Sequence, residues 1–350
     1  MNIFLPFKKD KNPVLDEIEQ YFDGNFIYDH YKNFDNHQID IVNIHWPESI
    51  FNYSEPSLND LSDLETELKK WKTKSKIVYT RHNILPHKSK SENLIELYRL
   101  VLQYCDGIIH MGNYSKTELE SHYTELSIKK SIVIPHPAYT LFKNQISKSE
   151  ARKKLKIGEY KNVILVFGSI RTKAELKLIK TAFNNLKLEN KYLLISNLNI
   201  YKPLPTTFLQ RVKKFSLTKA EKLRLSLSNN VTINYNFIEN NDVQVYLNAA
   251  DVLLIPRIDL LNSGNVFLGF SFKKIVVGPK IGNIAEVLEI TNNPAFSPKD
   301  ANSATLALES AFKLHKKKGI ENYNFVNNNC HPIIIAKSLK NFFNQLLINN

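Results

Sequence analysis

Short apolar runs rich in β-branched residues alternate along the chain with longer stretches of three- and four-residue apolar spacing. In the first half the runs are Ile39 to Ile44, Lys76 to Thr80, Gly107 to His110 and Ser131 to Pro135. Their length and continuity predict strands buried on both faces, as in parallel sheets. Between them, Leu94, Leu97, Tyr98 and Val101 form one helical stripe. Ser115 and Glu118 have capping-box spacing, which predicts a helix beginning there. A second set of runs follows: Asn162 to Phe167, Lys191 to Ser196, Val231 to Tyr235, Asp251 to Pro256 and Lys274 to Gly278. Leu176, Ile179, Phe183 and Leu186 give the helical stripe after the first of these.

This alternation predicts an α/β protein with parallel sheets. Between the two sets, Pro137 to Tyr160 is polar, lysine-rich and without strand signal, and Ser147 with Glu150 caps a short helix inside it. The expected organisation is a Rossmann-like domain over 1–145, a second over 146–330, and a terminal helix over 331–350 built on Ile333 to Leu347.

Composition narrows the class. The chain has 350 residues, 43% of them hydrophobic, enough for two cores. Its two cysteines, Cys105 and Cys330, exclude a disulfide framework and fit a reducing compartment. No apolar run approaches the ~20 residues of a spanning helix. The N-terminal order, an apolar patch and then Lys8 and Lys9, is the reverse of a secretory signal. A cytoplasmic protein is expected. Basic residues number 47 against 34 acidic, a net charge of +13, which calls for an anionic partner. Without zinc spacing, an RNP-like strand or a basic heptad region, nucleic acid is not that partner. Nucleotide diphosphates and acidic lipid headgroups remain.

Ligands of doubly wound sheets bind beyond the carboxyl ends of the strands, so candidate chemistry is sought there. Phe167-Gly168-Ser169-Ile170-Arg171-Thr172-Lys173 follows the first strand of the second set. Gly168 permits a tight turn, Arg171 offers a fork for a phosphate, and Lys173 adds a point charge. With a single glycine it is not a dinucleotide fingerprint. After Pro256, Asn262, Ser263, Gly264 and Asn265 form a polar turn feeding the apolar run Val266 to Phe270. Such a helix start suits a diphosphate, with Ser263 alternatively a plain N-cap. Gly278 to Glu286 is a third loop of this kind.

In the first half, His45, His82, His110 and His136 each close a strand, which points to a shared polar cleft. None has i,i+4 zinc spacing and no cysteine joins them, so no metal site is expected. No Gly-x-Ser-x-Gly elbow supports nucleophilic catalysis.

Together these residues resemble the GT-B-fold glycosyltransferases of the retaining, family-4-like type used in bacterial surface-polysaccharide assembly. The resemblance is carried by Phe167 to Lys173 and by Phe237-Ile-Glu-Asn-Asn-Asp-Val-Gln-Val-Tyr-Leu-Asn-Ala-Ala-Asp-Val-Leu-Leu-Ile-Pro256. Tyr79-Thr-Arg-His82-Asn-Ile-Leu-Pro-His87 resembles the family's T-x-H-N acceptor loop, and Ile134 to Pro137 the end of the last first-domain strand. The similarity runs from Ile39 to about Glu289.

The resemblance implies two Rossmann-like doubly wound domains facing a central cleft. It implies a UDP- or GDP-linked nucleotide-sugar as co-substrate, with no other cofactor and no divalent metal. His82, Arg171 and Lys173 would be the catalytic set: the two cations stabilise the leaving diphosphate, and His82 approaches the donor sugar by hydrogen bonding. Gly168, Phe237, Ile238, Val243, Asn262, Ser263, Gly264, Asn265 and Glu286 would bind the donor. Of these, Phe237, Ile238 and Val243 surround the base, and Glu286 sits near the ribose or sugar. His45, Arg81, Asn83 and His136 would line the acceptor side.

The implied acceptor is a glycan or a polyprenyl-diphosphate-linked sugar at the inner face of the plasma membrane. Lys69, Lys70, Lys129 and Lys130 are the expected contacts to that anionic surface. The chain departs from the family in three places. The glutamate pair with seven residues between is absent from Leu260 to Leu268, Ala174 replaces the glycine after the lysine, and no early Gly-rich loop is present. Two alternatives share the fold: a nucleotide-sugar 2-epimerase, which would need carboxylates for proton abstraction, and a non-catalytic binding protein.

Overall fold

The computed structural model describes residues 1–9, 12–85, 91–123, 129–198, 230–315 and 317–348. Pro86 and His87 of the expected acceptor loop lie outside the described residues. The chain forms two compact units. One comprises 1–139, 260–263 and 328–350, and the other 140–259 and 264–327.

In chain order the first unit runs β1 (Asn2–Leu5), α1 (Pro13–Glu19), β2 (Asn25–Tyr28), β3 (Ile41–Ile44), α2 (Leu58–Lys74), β4 (Lys76–Arg81), α3 (Glu92–Tyr104), β5 (Gly107–His110), α4 (Asn113–His122) and β6 (Lys130–Val133). The strands form a parallel sheet of order β2-β1-β3-β4-β5-β6. Neighbouring residues on each strand go to opposite faces, as the pleat requires. Phe4, Val42 and Ile77 pack with Leu64, Leu68 and Trp71 of α2 and with Leu97 and Val101 of α3. Ile3, Ile41 and Val78 instead meet Leu15 and Ile18 of α1, with Ile335, Leu339 and Phe343 from the end of the chain. Burial on both faces is what makes these strands read as unbroken apolar runs.

The second unit runs α5 (Lys148–Leu155), β7 (Asn162–Ser169), α6 (Lys173–Asn185), β8 (Lys191–Asn197), β9 (Val231–Ile233), α7 (Val243–Ala249), β10 (Val252–Leu254), α8 (Gly264–Ser271), β11 (Ile275–Pro279), α9 (Gly282–Ile290), β12 (Ala295–Phe296), α10 (Ala301–Lys313) and α11 (Lys317–Asn329). Its parallel sheet has the order β12-β11-β10-β7-β8-β9. Counted from β7, this is the doubly wound order of dinucleotide-binding sheets, whose order reverses between β7 and β10. The last helix, α12 (Pro332–Ile348), returns to the first unit. Gly107 admits it closely: a Cβ there would stand 2.9 Å from Leu346 and Phe342.

Three strands went unread in the sequence, namely β1, β2 and β12, the last only two residues long. The capping box expected at Ser115 is not one. α4 starts at Asn113 after Gly112, so Ser115 and Glu118 lie inside the helix and turn to other partners. True capping boxes form at Ser57–Asp60, Ser147–Glu150 and Thr172–Glu175. Among the described residues no helix is long and apolar enough to cross a membrane.

Candidate functional site

In the second unit the expected donor residues follow the carboxyl ends of the strands. At the end of β7 the register breaks between Val166 and Ser169. Gly168 turns there with a φ of 82°, a left-handed conformation that favours glycine. Space is not the constraint, because an added Cβ would meet Asn265 Nδ2 at an ordinary 3.7 Å. The turn is tied from both sides. Gly168 N–H donates to Ser196 Oγ (2.9 Å), and Asn265 Nδ2 donates to the Phe167 carbonyl (2.8 Å).

The cationic loop that follows is held by one carboxylate. Thr172 caps α6 by accepting from Glu175 N–H (3.1 Å), while Glu175 Oε2 accepts from the Arg171 N–H (2.6 Å). The same oxygen pairs with Arg257 Nη1 (2.9 Å), and Arg257 Nη2 donates to the Ser169 carbonyl (2.9 Å). Glu175 is 2% and Arg257 6% exposed. Arg257 is therefore a structural cation, bracing the loop that presents Arg171 and Lys173. Arg171 is half-buried, and Lys173 is exposed at the first position of α6, where the helix dipole adds positive potential. Sequence reading missed this pair, since its members lie far apart in the chain. The T-x-x-E spacing at Thr172 was the available signal for Glu175.

The remaining donor candidates are spread along that edge. Gly264 and Asn265 open α8 after β10, and Glu286 is half-buried in the first turns of α9 after β11. Beyond β9, Ile238 is half-buried and Phe237 is 64% exposed. Val243 is 3% exposed at the start of α7. The polar turn read as one donor element is divided. Asn262 and Ser263 belong to the first unit, and Asn262 Nδ2 donates to the His82 carbonyl (2.7 Å). The family-like Asp251 is structural: it sits ahead of β10, pairs with Arg152 Nη2 (2.8 Å) and accepts from Val163 N–H (2.8 Å).

In the first unit, two of the four histidines meet. His45 follows β3 and His82 follows β4, with His45 Nδ1 2.9 Å from His82 Nε2. Trp46 stacks on His82 at 4.1 Å between centroids and 23° between planes. Burial pushes the His45 ring down to about 3 and the His82 ring well below the usual range, so both are neutral at pH 7. His136 is also held down by burial, to about 4, and its Nδ1–H donates to the Pro137 carbonyl (2.7 Å).

Arg81 and His110 form a separate cluster. The Arg81 guanidinium donates to the Ser115 carbonyl (2.7 Å) and pairs with Glu118, while His110 Nδ1 bonds Ser115 Oγ (3.0 Å). Arg81 is 3% exposed and its charge is spent on α4, which sets it apart from the other acceptor-side candidates. Asn83 is half-buried just beyond β4, and the Tyr98 hydroxyl donates to Glu48 Oε2 (2.7 Å). The lysines expected to meet a membrane are also engaged. Lys69 pairs with Glu65 and Lys70 with Asp35 and Glu67, whereas Lys129 and Lys130 donate to backbone carbonyls of Gln103, Cys105 and Gln345.

No protein-family model matches this chain, and no curated protein matches it. Solved structures do. HepE from Anabaena in complex with UDP-glucose is 13% identical with a TM-score of 0.71, over 98% of this chain and 99% of that one. Sucrose-phosphate synthase from Thermosynechococcus elongatus is 15% identical with a TM-score of 0.65, over 91% and 78%. A glycosyltransferase from Rickettsia africae is 16% identical with a TM-score of 0.64, over 98% and 84%. At these identities the likeness shows the fold: two Rossmann-like domains of the GT-B type, as the sequence led one to expect.

Proposed function

We propose that this chain is a glycosyltransferase that takes its sugar from a nucleotide-sugar donor, with UDP-glucose the first to test. The carrying observation is the braced loop at the point where the second sheet reverses its strand order. There Gly168, Arg171 and Lys173 surround the start of α6, a place suited to a diphosphate. HepE, bound to UDP-glucose, shares the fold and suggests the nucleotide. Arg171 and Lys173 stabilise charge gathering on the departing diphosphate, a task that fixed cations perform without reorganisation. The first unit offers neutral hydrogen-bonding groups of its own, led by His82.

The finer reading is a retaining, metal-independent transfer to a glycan or polyprenyl-diphosphate-linked acceptor in bacterial surface-polysaccharide synthesis. Its supports are the resemblance of the motifs and the net charge of +13, which suits an anionic leaflet. The purified chain should release nucleoside diphosphate from one member of a UDP- and GDP-sugar panel and bind the matching diphosphate in calorimetry. Activity should survive EDTA, because the loop cations supply the charge that a metal would bring. Absence of diphosphate binding at millimolar concentration overturns the reading, and loss with EDTA restored by manganese overturns its metal independence.

A further inference from the structure

His82 ends a chain of polar contacts that begins on the neighbouring strand. Thr80 Oγ1 donates to Asn43 Oδ1 (2.9 Å), which sets the amide so that its nitrogen lies 3.0 Å from His45 Nε2. An amide nitrogen only donates. His45 Nε2 is therefore the bare, accepting nitrogen, and the His45 proton sits on Nδ1. That proton points to His82 Nε2 at 2.9 Å, so His82 in turn accepts at Nε2 and carries its own proton on Nδ1.

Two features stop the chain from reversing. Asn43, Thr80, His45 and His82 are all buried, which keeps both rings neutral and denies either a second proton. Stacking on Trp46 resists the ring flip that would put Cε1 in place of Nε2 opposite His45.

We propose that Thr80, Asn43 and His45 are positioning residues that lock His82 in its Nδ1–H form, a hydrogen-bond donor to an oxygen of a bound sugar. Nε2 is occupied by His45, so His82 cannot serve as a general base. The sugar in this proposal rests on the glycosyltransferase reading, whereas the tautomer does not.

The test is a long-range nitrogen–proton NMR correlation on the full chain labelled with 15N-histidine, with His82 assigned by comparison with His82→Gln. The expected wild-type pattern has Nδ1 protonated and Nε2 bare. His45→Phe keeps an aromatic ring but removes the donor, and His82 should then shift to the Nε2–H form that isolated imidazole side chains favour. Turnover with the nucleotide-sugar should fall about threefold to tenfold at nearly constant KM, the scale of one hydrogen bond. An Nε2–H signal for wild-type His82, or no change of tautomer in His45→Phe, overturns the relay. If His45→Phe does not fold, the wild-type spectrum decides alone. A correct tautomer in a chain that turns over no nucleotide-sugar supports the relay and sinks the glycosyltransferase reading instead.

Discussion

The two units solve opposite electrostatic problems at the carboxyl ends of similar sheets. In the second, cations stand at the edge: Glu175 absorbs Arg257, and that buried pair fixes the loop carrying Arg171 and Lys173. In the first, charge is suppressed: His45, His82 and His136 are buried and neutral, and Arg81 is consumed by Glu118. A diphosphate needs the first kind of edge and a sugar hydroxyl the second. One architecture thus carries a cationic or a neutral polar edge, according to which residues its strand-end loops bring.

The contrast breaks most visibly in acid. His45, His110 and His136 are held down to about 3, 3 and 4, chiefly by burial, and His82 is lowered in the same direction. In the unfolded chain each ring titrates near 6.5. As pH falls below that value the unfolded state binds more protons than the folded one. Stability present at neutral pH is therefore lost on acidification, by up to about 1.4 kcal/mol per pH unit for each ring. Among the described residues the second unit has one histidine, the exposed His315. Both tryptophans of the chain, Trp46 and Trp71, lie in the first unit. Tryptophan fluorescence should accordingly change at a higher pH than the helical circular dichroism of the whole chain. Coincident transitions would contradict a separate acid weakness of the first unit.

The next effect isolates the brace. Arg257→Ala leaves Glu175 buried without its cation and should cost about 3–5 kcal/mol of stability in denaturant melts. Lys173→Ala, on an exposed side chain, should change stability by less than about 0.5 kcal/mol. Equal losses in the two variants would show that Arg257 does not brace the loop. Arg171→Ala separates chemistry from stability: turnover should fall about 100-fold with the melt unchanged. Unaltered kinetics in that folded variant would remove Arg171 from the diphosphate site.

Much of this was legible in the sequence, and the reasons for the rest are physical. Double-sided burial prints a strand as an apolar run, so the cores of β3, β4, β5, β7 and β10 stood out. Asn2–Leu5 is buried on both faces too, between β2 and β3, yet its short apolar run drew notice only for its order relative to Lys8 and Lys9. Loops revealed which cations stood at the sheet edge but not which were spent, because Arg81–Glu118 and Arg257–Glu175 are long-range pairs. Asn43 left one clue, a polar residue inside the run Ile-Asp-Ile-Val-Asn-Ile, whose buried amide must find partners. Local spacing misled at Ser115, where side chains of a helix interior imitate a cap.

The smallest effect concerns the membrane, and the pairing of the lysines sharpens it. Lys69 and Lys70 already face Glu65, Glu67 and Asp35, so their local field is largely cancelled. Among the described residues Lys129 and Lys130 form no ion pair and donate to backbone carbonyls, which are dipoles without an opposing unit charge. A basic residue near an anionic leaflet is worth about 1 kcal/mol, roughly a fivefold change in partitioning. Lys130→Ala should therefore reduce binding to phosphatidylserine-containing vesicles about fivefold at low salt, and Lys69→Ala by less. The Debye length is only about 8 Å at physiological ionic strength, so added salt should erase the difference. Co-sedimentation with anionic and neutral vesicles across a salt series measures both. Equal losses for the two variants would mean that local pairing does not govern the field at this surface, and no binding of the wild type to anionic vesicles would end the peripheral-membrane reading.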